Sequence, residues 1–357
     1  PFLRSFGRFT RVDTIALGVA AVRGLLDRYA VKGSEIDSLV WGGVILPSAY
    51  VNIGREIVLD LPIPASVEAT TVTRVCTSGL YAITTAAAAI ERGEVDIVIA
   101  GGSDSTSNAE LKMPQSLMHK IAPVAMNRKS TFKDYMGLVP KMDLKRDLVP
   151  ERPSVRERTT GELMGESAEK MAQRNGITRE SQDIFAVQSH QRAAAAIASG
   201  RFADEIVSVD TPDGDRVHAD DIVRGDISLE KLATLRPAFA KNGTLTAANS
   251  SALTDGASAV LLMSEDRARA LGFTEMVAFG GWSYDAVDPA DQMLLGPAIS
   301  MPRAAARAGM KRKDIDLVDI HEAFAAQVLT VLKMMDSDPF ARERLGQAKA
   351  FGGFTPE

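Results

Sequence analysis

The stretch TTVTRVCTSGLYAITTAAAAIERG, residues 70–93, decides the fold of this chain. It begins with β-branched residues, which favour a strand, and continues with an alanine-rich run whose apolar spacing favours a helix. The segment DIVIAGG, residues 96–102, follows closely and is typical of a buried strand. A strand, a helix and a second strand in this order predict a βαβ unit with parallel strands. The single cysteine of the chain, Cys76, lies where the first strand passes into the helix.

The same alternation of helices and strands extends towards both ends of the chain. Apolar periodicity predicts further helices and strands there. The predicted helices are residues 13–30, 299–310 and 322–335, and the predicted strands are residues 38–46, 65–72, 257–264 and 314–320. The sequence therefore predicts an α/β fold built on mostly parallel sheets covered by helices.

Residues from about 108 to 228 interrupt this alternation with scattered methionines, a stretch rich in proline and charge, and two predicted helices at 166–176 and 179–200. A change of composition between two α/β segments is typical of an insertion. We predict an N-terminal half at residues 1–107, an inserted loop subdomain at 108–228 and a C-terminal half at 229–357.

A faint internal repeat supports two related halves. AVKGSEIDSLVWG, residues 30–42, aligns without gaps on GMKRKDIDLVDIH, residues 309–321, so that Gly42 falls on His321. In the first half a strand, Cys76, a helix and a strand follow this segment, whereas the sequence ends at Glu357, about where their counterparts are due. The repeat predicts that the strand, helix and strand completing the second sheet are absent.

Bulk composition excludes several classes of protein. The 357 residues are 45% hydrophobic and 24% charged, and the net charge is −5. This charge gives no reason to expect nucleic-acid binding, which needs a basic surface. One cysteine cannot build a disulfide framework, and no apolar run reaches the roughly 20 residues that span a bilayer. We expect an intracellular protein, cytoplasmic or mitochondrial, whose targeting signal cannot be read from a chain that begins at Pro1.

The position of Cys76 suits a nucleophile. A thiol reacts as the thiolate, and the dipole and free N–H groups of a helix start favour that form. Thr77 and Ser78 are residues that begin helices, and Gly79 leaves room for a ligand or another helix to approach the backbone. The alternative is a small buried apolar residue, which is what most isolated cysteines are. Position alone favours that alternative.

Three further segments point towards a site. GTLTAANSSALTDGASAVLL, residues 243–262, places small polar residues and glycines before a predicted strand. VDIHEAFAAQV, residues 318–328, places His321 and Glu322 where a strand passes into a helix, a common location of reactive groups in α/β proteins. AGGSDSTSNAE, residues 100–110, ends another strand with two glycines. Each segment alone is more often structural, so their joint occurrence carries the argument.

Together these motifs resemble the thiolase family, whose members cleave or form 3-ketoacyl-CoA through a cysteine thioester. The resemblance covers the whole chain in order, on TRVCTSGL, IAGGSDSTSNA, MGESAEKMA, GITRESQDIFAVQSHQRA, GTLTAANSSALTDGASAVLL, LGPAISMPRAAARAG and DIHEAFAAQ. The HEAFA motif and the stretch DPFARERLG resemble the acetyl-CoA acyltransferases allied to the β subunit of the trifunctional fatty-acid oxidation complex.

The resemblance assigns expected roles to six residues. It implies that Cys76 is the acyl-accepting nucleophile and that its N–H contributes to an oxyanion hole, while His321 stabilises the enolate of the departing acetyl-CoA. Ser251 is expected near the pantetheine of CoA, and Asn249 and Gly256 are expected to shape its loop. The sixth residue, Met164, is expected to line the acyl tunnel. Many family members have His before this methionine where Leu163 stands here.

The resemblance also implies an architecture and partners. The expected fold is a thiolase-like α/β fold with two similar halves, a five-layered core of mixed sheets and helices, and a loop subdomain. The expected ligands are acyl-CoA and CoA as substrates, with no metal and no redox cofactor. A homodimer or homotetramer is expected, and the HEAFA branch suggests an α subunit carrying hydratase and dehydrogenase activities.

Two motifs of full-length thiolases are missing from the sequence: the Gly-His segment whose His activates the nucleophile, and a second cysteine followed by glycine. The histidines present are His119, His190, His218 and His321. We expect a truncated chain of low or no activity. The reverse Claisen condensation, a ketoacyl-synthase activity with a malonyl donor, and a non-catalytic CoA- or lipid-binding role are the alternatives to thiolysis.

Overall fold

The computed structural model describes residues 1–151, 153, 155–274 and 276–356, and for residue 144 the backbone alone. Glu357, the last residue of the predicted C-terminal half, therefore lies outside the described residues. The chain forms two compact units. One comprises Pro1–Ser107 with Arg156–Glu357, and the other comprises Asn108–Val155. The smaller unit begins where the insertion is predicted to begin, while the three-domain division of the chain stays a prediction.

The described residues form seven strands and fourteen α-helices. The strands are β1 (Leu3–Arg4), β2 (Ser38–Gly42), β3 (Glu68–Val72), β4 (Ile97–Ser105), β5 (Val209–Asp210), β6 (Arg216–Val217) and β7 (Thr254–Met263). The α-helices are α1 (Thr14–Tyr29), α2 (Ile53–Asp60), α3 (Ser78–Glu91), α4 (Gln115–Ala125), α5 (Phe132–Met136), α6 (Leu144–Asp147), α7 (Met164–Asn175), α8 (Arg179–Ala198), α9 (Leu229–Ala233), α10 (Glu265–Ala270), α11 (Pro289–Gln292), α12 (Pro297–Arg307), α13 (Ala325–Met335) and α14 (Asp338–Phe340).

The larger unit contains a mixed five-stranded sheet in the order β1-β7-β4-β2-β3. β2 pairs in parallel with both β3 and β4, while β7 pairs antiparallel with β4 and β1. The chain passes from β3 through α3 into β4, so the predicted βαβ unit is confirmed. Because β3 and β4 are parallel, α3 runs back along the sheet and begins at the carboxyl ends of these strands.

Alternation of side chains gives this sheet two covered faces. Leu39, Trp41, Ile97 and Ile99 pack with residues of α1 and α2 on one face. Val40, Val98 and Ala100 pack with Ala82 and Ala86 of α3 on the other. The small residues of α3 let the helix axis lie close to the strands, which fixes where the helix begins.

The rest of the larger unit is mainly helical. α7 and α12 pack together with α13 through a buried cluster of Met171, Leu295, Ala298, Val331 and Met335. The smaller unit, described by itself, contains α4, α5 and α6. In it, Lys120 forms an ion pair with the fully buried carboxylate of Asp147 at 2.5 Å.

The internal repeat has a structural counterpart in two short 3-10 helices, Gly33–Glu35 and Arg312–Asp314, which are aligned positions. In each, the last residue accepts a hydrogen bond from the N–H three residues earlier, from Lys32 to Glu35 at 3.1 Å and from Lys311 to Asp314 at 2.8 Å. After the first turn the chain enters β2. The strand predicted at 314–320 is wrong for the described structure, because no strand pairs with it and Leu317 is 91% exposed.

Candidate active site

Cys76 lies in a tight turn between β3 and α3. Thr77 donates to the Arg74 carbonyl through its N–H at 3.2 Å and its hydroxyl at 2.8 Å. The Ser78 hydroxyl donates to the Val75 carbonyl at 2.6 Å and accepts the Arg74 N–H at 2.8 Å. These bonds wrap the turn around the cysteine and leave its side chain exposed.

The residue before the cysteine has an unfavourable backbone conformation. Val75 has φ of 51°, in the left-handed region that β-branched residues avoid. Such strain costs about 1–3 kcal/mol and clusters at functional sites. Val75 is also 62% exposed, so apolar burial does not explain the conformation. The strain falls on the residue that directly precedes Cys76.

The environment of the thiol differs from the expectation of a lowered pKa. Surrounding protein atoms desolvate the sulfur and raise the pKa of Cys76, the thiol's own backbone N–H opposes this, and the negative charge of Asp104 raises the pKa further. α3 begins at Ser78, two residues after the cysteine. Although the side chain reaches the surface, this desolvation outweighs the help expected from the helix start, because that help falls off quickly beyond the first turn.

Glycines form the surface of the sheet beneath this turn. A Cβ on Gly42 would lie 2.6 Å from the Ser78 carbonyl group, so the end of β2 touches the start of α3 directly. Gly102 pairs with Gly42, and Gly256 lies opposite Asp104 on β7. By alternation these positions share the face that α3 covers. The absence of a side chain at Gly42 lets the start of α3 approach the sheet closely.

Gly79 has a different relation to its surroundings. A Cβ on this residue would meet no atom within 4 Å, and its backbone is not in the left-handed region. Neither packing nor conformation therefore requires glycine in the first turn of α3. The approach of a ligand or another helix to this open space stays a prediction.

The sequence analysis missed Asp104. Its Oδ1 accepts the N–H groups of Val44 at 2.9 Å and Ile45 at 2.6 Å, which fixes the turn after β2. Burial raises the pKa of this carboxyl, and the two N–H groups oppose the rise. The sequence offered one signal, since the residue stands two positions after the glycines of AGGSD and is the one charged residue of β4.

The loop at residues 244–251 points most of its polar groups inward. The Asn249 side-chain oxygen accepts the Thr246 N–H at 2.7 Å, and its amide donates to Asp183 at 2.9 Å and to the Thr244 carbonyl at 3.2 Å. The buried Glu169 carboxylate accepts the N–H groups of Thr244 and Leu245. Both N–H donors of the buried Asn249 amide are therefore used within the protein, which leaves no donor of this side chain for a ligand.

Ser251 connects this loop to the segment that follows His321. Its N–H donates to the Ala323 carbonyl at 2.9 Å, and the Ala325 N–H donates to the Asn249 carbonyl at 3.0 Å. The Ser251 side chain is exposed, and its hydroxyl makes one long contact of 3.5 Å to the next carbonyl. The structure therefore joins two of the predicted site segments through main-chain hydrogen bonds.

His321 is exposed at the start of this segment. The next residue, Glu322, is held by the Ser189 hydroxyl of α8 at 2.6 Å. Among the described residues, no hydrogen bond or ion pair links His321 with Cys76. Two clefts, of about 440 and 760 Å³, lie at residues 23–62 and 302–353 and contain none of the predicted site residues.

Met164 and Gly256 both pack against other parts of this chain. Met164 begins α7 and packs against a buried cluster that includes Leu245 and Phe324, beside the Ser251 segment. Gly256 lies in β7 and not in the preceding loop, because the strand begins at Thr254. A Cβ there would come within 2.2 Å of the Phe2 ring, so its glycine accommodates that ring.

The part of the chain that the structure describes contains no cluster of three or more His, Cys, Asp or Glu side chains able to hold a metal ion. Within the same residues, no helix is both long and apolar enough to span a membrane.

Comparisons with known proteins agree with the motifs. Family models for the N-terminal and C-terminal domains of thiolase match residues 1–266 and 273–353. A 3-ketoacyl-CoA thiolase of Yersinia enterocolitica is 40% identical over 354 residues, covering 99% of this chain and 80% of that protein. A protein of the same name from Yersinia pestis is 41% identical over the same coverage.

Solved structures share the fold. The acetyl-CoA acetyltransferase of Bacillus anthracis superposes with a TM-score of 0.82 at 31% identity, covering all of this chain and 85% of that one. Human mitochondrial 3-ketoacyl-CoA thiolase gives a TM-score of 0.81 at 30% identity, covering 99% and 84%. The predicted thiolase-like α/β fold is confirmed, and this chain belongs to the thiolase family.

Proposed function

We propose that this chain cleaves 3-ketoacyl-CoA with CoA, giving acetyl-CoA and a shortened acyl-CoA through a thioester on Cys76. The observation that carries the proposal is the exposed thiol on a strained turn above a glycine-lined sheet, in a chain of the thiolase family. An exposed thiol with open space beside it suits a nucleophile better than a packing residue.

The chemistry has two steps. The Cys76 thiolate attacks the keto carbon, forming a sulfur–carbon bond, and the adjacent carbon–carbon bond breaks with its electron pair entering the enolate of acetyl-CoA. That enolate takes up, through solvent, the proton that Cys76 released when it formed the thiolate. The CoA thiol then attacks the thioester, its proton passes to the departing cysteine sulfur, and the shortened acyl-CoA leaves. CoA acts as substrate, and the balance needs no metal or redox cofactor.

The other expected residues receive roles within this scheme. His321 is proposed to donate a hydrogen bond to the enolate oxygen, a contribution typically worth about 3 kcal/mol for one aimed donor. Ser251 is proposed to contact the pantetheine, since its hydroxyl is exposed. Met164 is proposed to line the acyl tunnel. Asn249 and Gly256 are proposed to act indirectly, by shaping the loop and the adjoining strand.

Intact-protein mass spectrometry after mixing with acetoacetyl-CoA tests the proposal. One acetyl group should appear on Cys76, and added CoA should remove it. The Cys76→Ala variant is the matched control and should acquire no label. Wild-type protein that binds acetoacetyl-CoA without a mass change would contradict the proposal and favour the CoA- or lipid-binding alternative. The turnover rate in the same mixture tests the prediction of low activity.

The direction of the reaction is a second matter. One nucleophile serves both thiolysis and Claisen condensation, because the thioester is common to both. We propose thiolysis, since the Yersinia relatives carry the name 3-ketoacyl-CoA thiolase. Mixing the protein with acetyl-CoA alone and measuring acetoacetyl-CoA formation tests the biosynthetic alternative.

We propose that the chain assembles as a homodimer or homotetramer. β3 pairs only with β2 among the described strands, and it contains the β-branched residues Thr70, Thr71 and Val72. An unpaired edge is a template for pairing with another chain. Light scattering of wild type and of Thr71→Pro tests this assignment, because the Val72 carbonyl faces β2 and the alternate residue Thr71 therefore presents its N–H at the outer edge. We also propose an α subunit with hydratase and dehydrogenase activities as a partner. Co-purification from cells tests this proposal.

The compartment that we propose is the cytoplasm, because the Yersinia relatives are bacterial proteins. A mitochondrial location is the alternative, by analogy with the human neighbour. Fractionation of cells that express the complete gene distinguishes the two.

A further inference from the structure

Asp104 occupies a defined place beneath the start of α3. Val98 and Ala100 of β4 contact α3, so alternation places Gly102 and Asp104 on the same face. Gly102 pairs with Gly42, which touches the Ser78 backbone. Asp104 is the next residue on that face towards the carboxyl end of β4, where α3 begins. The topology thus brings this carboxylate to the end of the sheet that carries Cys76.

Hydrogen bonds tie the same carboxylate to the turn after β2. Oδ1 accepts from the Val44 and Ile45 N–H groups, and Oδ2 lies 3.2 Å from the Val44 nitrogen. Gly43, at the start of this turn, donates its N–H to the Val72 carbonyl at the end of β3. Asp104 therefore connects the ends of three neighbouring strands around the helix start.

We propose that Asp104 is a positioning residue of this site, whose carboxylate fixes the turn at Val44–Ile45 and sets a negative charge beside the Cys76 thiol. The position of Asp104 does not depend on the proposed thiolase reaction. The effect of Asp104 on catalysis rests on that proposed reaction. The charge disfavours the free thiolate but not the neutral thioester, so it favours the acylated form of Cys76 over the resting thiolate.

Other charged groups near the turn do not replace this carboxylate. The Arg74 guanidinium lies over the rings of Tyr81 and Tyr284, at 5.3 and 4.8 Å from their centroids. Asp255 of β7 faces the opposite side of the sheet, where Ser107 donates to it. Glu68 and Glu91 lie at the far ends of β3 and α3, and β2 carries no charged residue. The charge of Asp104 is the one that raises the pKa of Cys76.

The experiment measures the rate at which iodoacetamide alkylates Cys76 as a function of pH. Because Cys76 is the single cysteine of the sequence, the alkylation rate reports on this thiol alone. Asp104→Asn removes the charge, so the thiolate forms at lower pH and alkylation at pH near 7.5 is expected to be about threefold faster or more. Asp104→Glu keeps the charge and should restore most of the wild-type profile. Glu91→Gln, an equal change of charge at the far end of α3, should leave it unchanged.

Two further readouts separate the charge from a merely structural role. High salt screens charges, so the alkylation profile of wild type should move to lower pH while that of Asp104→Asn stays fixed. Hydrogen exchange at residues 43–46 should be faster in Asp104→Asn than in Glu91→Gln. An unchanged or higher alkylation midpoint in Asp104→Asn, or a wild-type midpoint insensitive to salt, overturns the proposal. The wild-type arm of the salt experiment does not depend on whether a variant folds.

Alkylation does not depend on thiolysis. Failure to form an acetyl-enzyme with acetoacetyl-CoA would therefore contradict the proposed function while leaving the alkylation result intact. A normal acetyl-enzyme combined with equal alkylation profiles for wild type and Asp104→Asn would contradict only the role of Asp104.

Discussion

Two polar segments of this chain, the loop at residues 244–251 and the turn at residues 74–77, use their polar groups in opposite ways. In the loop, buried Glu169, Asp183 and Asn249 bind one another or the main chain, and little remains for a ligand. In the turn, hydrogen bonds are local, Val75 is strained, and the Cys76 side chain is exposed. The difference teaches that polar composition alone does not mark a reactive site. What matters is whether tertiary contacts consume the polar groups.

The largest expected effect on stability is at the loop of residues 244–251. Glu169→Gln replaces an acceptor of two N–H groups with an amide whose NH₂ faces donors, so the free energy of unfolding should fall by about 3 kcal/mol. Urea denaturation measures it. Glu180→Gln, an exposed change on α8, is the control and should stay within about 0.5 kcal/mol. Equal stability of the two variants would mean that the loop does not depend on the buried carboxylate.

The second largest expected effect is at the turn of residues 74–77. Gly42→Ala places a Cβ 2.6 Å from the Ser78 carbonyl group, so α3 must shift at its start. We expect a loss of about 2 kcal/mol in the free energy of unfolding and severalfold slower acetylation of Cys76.

Gly79→Ala is the matched control for Gly42→Ala, because the same change is made in the first turn of α3 where space is open. Its Cβ meets nothing, so alanine should be neutral or raise stability by up to about 1 kcal/mol. Slower acetylation of Cys76 in this stable variant would indicate that substrate occupies the space beside Gly79. Acetylation equal to wild type would instead mean that the space is not used.

A smaller effect sharpens the role of strain in the turn. Val75→Gly removes the cost of the left-handed backbone and loses little burial, so the free energy of unfolding should rise by about 0.5–1 kcal/mol. Acetylation of Cys76 should slow severalfold, because glycine leaves the thiol less firmly oriented. Val75→Ala keeps most of the strain and serves as the control. A glycine variant that is less stable than the alanine variant would show that the φ of Val75 carries no strain.

The smallest effect concerns the exposed end of the loop. Ser251→Ala removes a hydroxyl that makes one weak contact, so stability should change by less than about 0.5 kcal/mol. If the hydroxyl contacts the pantetheine, the concentration of acetoacetyl-CoA needed for half-maximal acetylation should rise severalfold while the maximal rate stays the same. If wild type and Ser251→Ala show the same concentration dependence, Ser251 does not contact the substrate.

Sequence patterns predicted the elements around the site because local periodicity determines them. The helices expected at 13–30, 166–176, 179–200, 299–310 and 322–335 form α1, α7, α8, α12 and α13, each within a few residues. The strand expected at 314–320 does not form in the described structure, since a strand exists only with a partner beside it. Asp104 was missed for a related reason, because its role depends on a turn some 60 positions earlier in the chain.

By itself the sequence determined the βαβ unit, the position of Cys76 between β3 and α3, and membership of the thiolase family, because these follow from local pattern and motif order. Only the tertiary structure decided that Asn249 turns inward, that Gly256 belongs to a strand, and that burial and Asp104 raise the pKa of Cys76 rather than lower it. These facts depend on which groups distant in the chain come together, and desolvation and hydrogen bonding respond to that proximity alone.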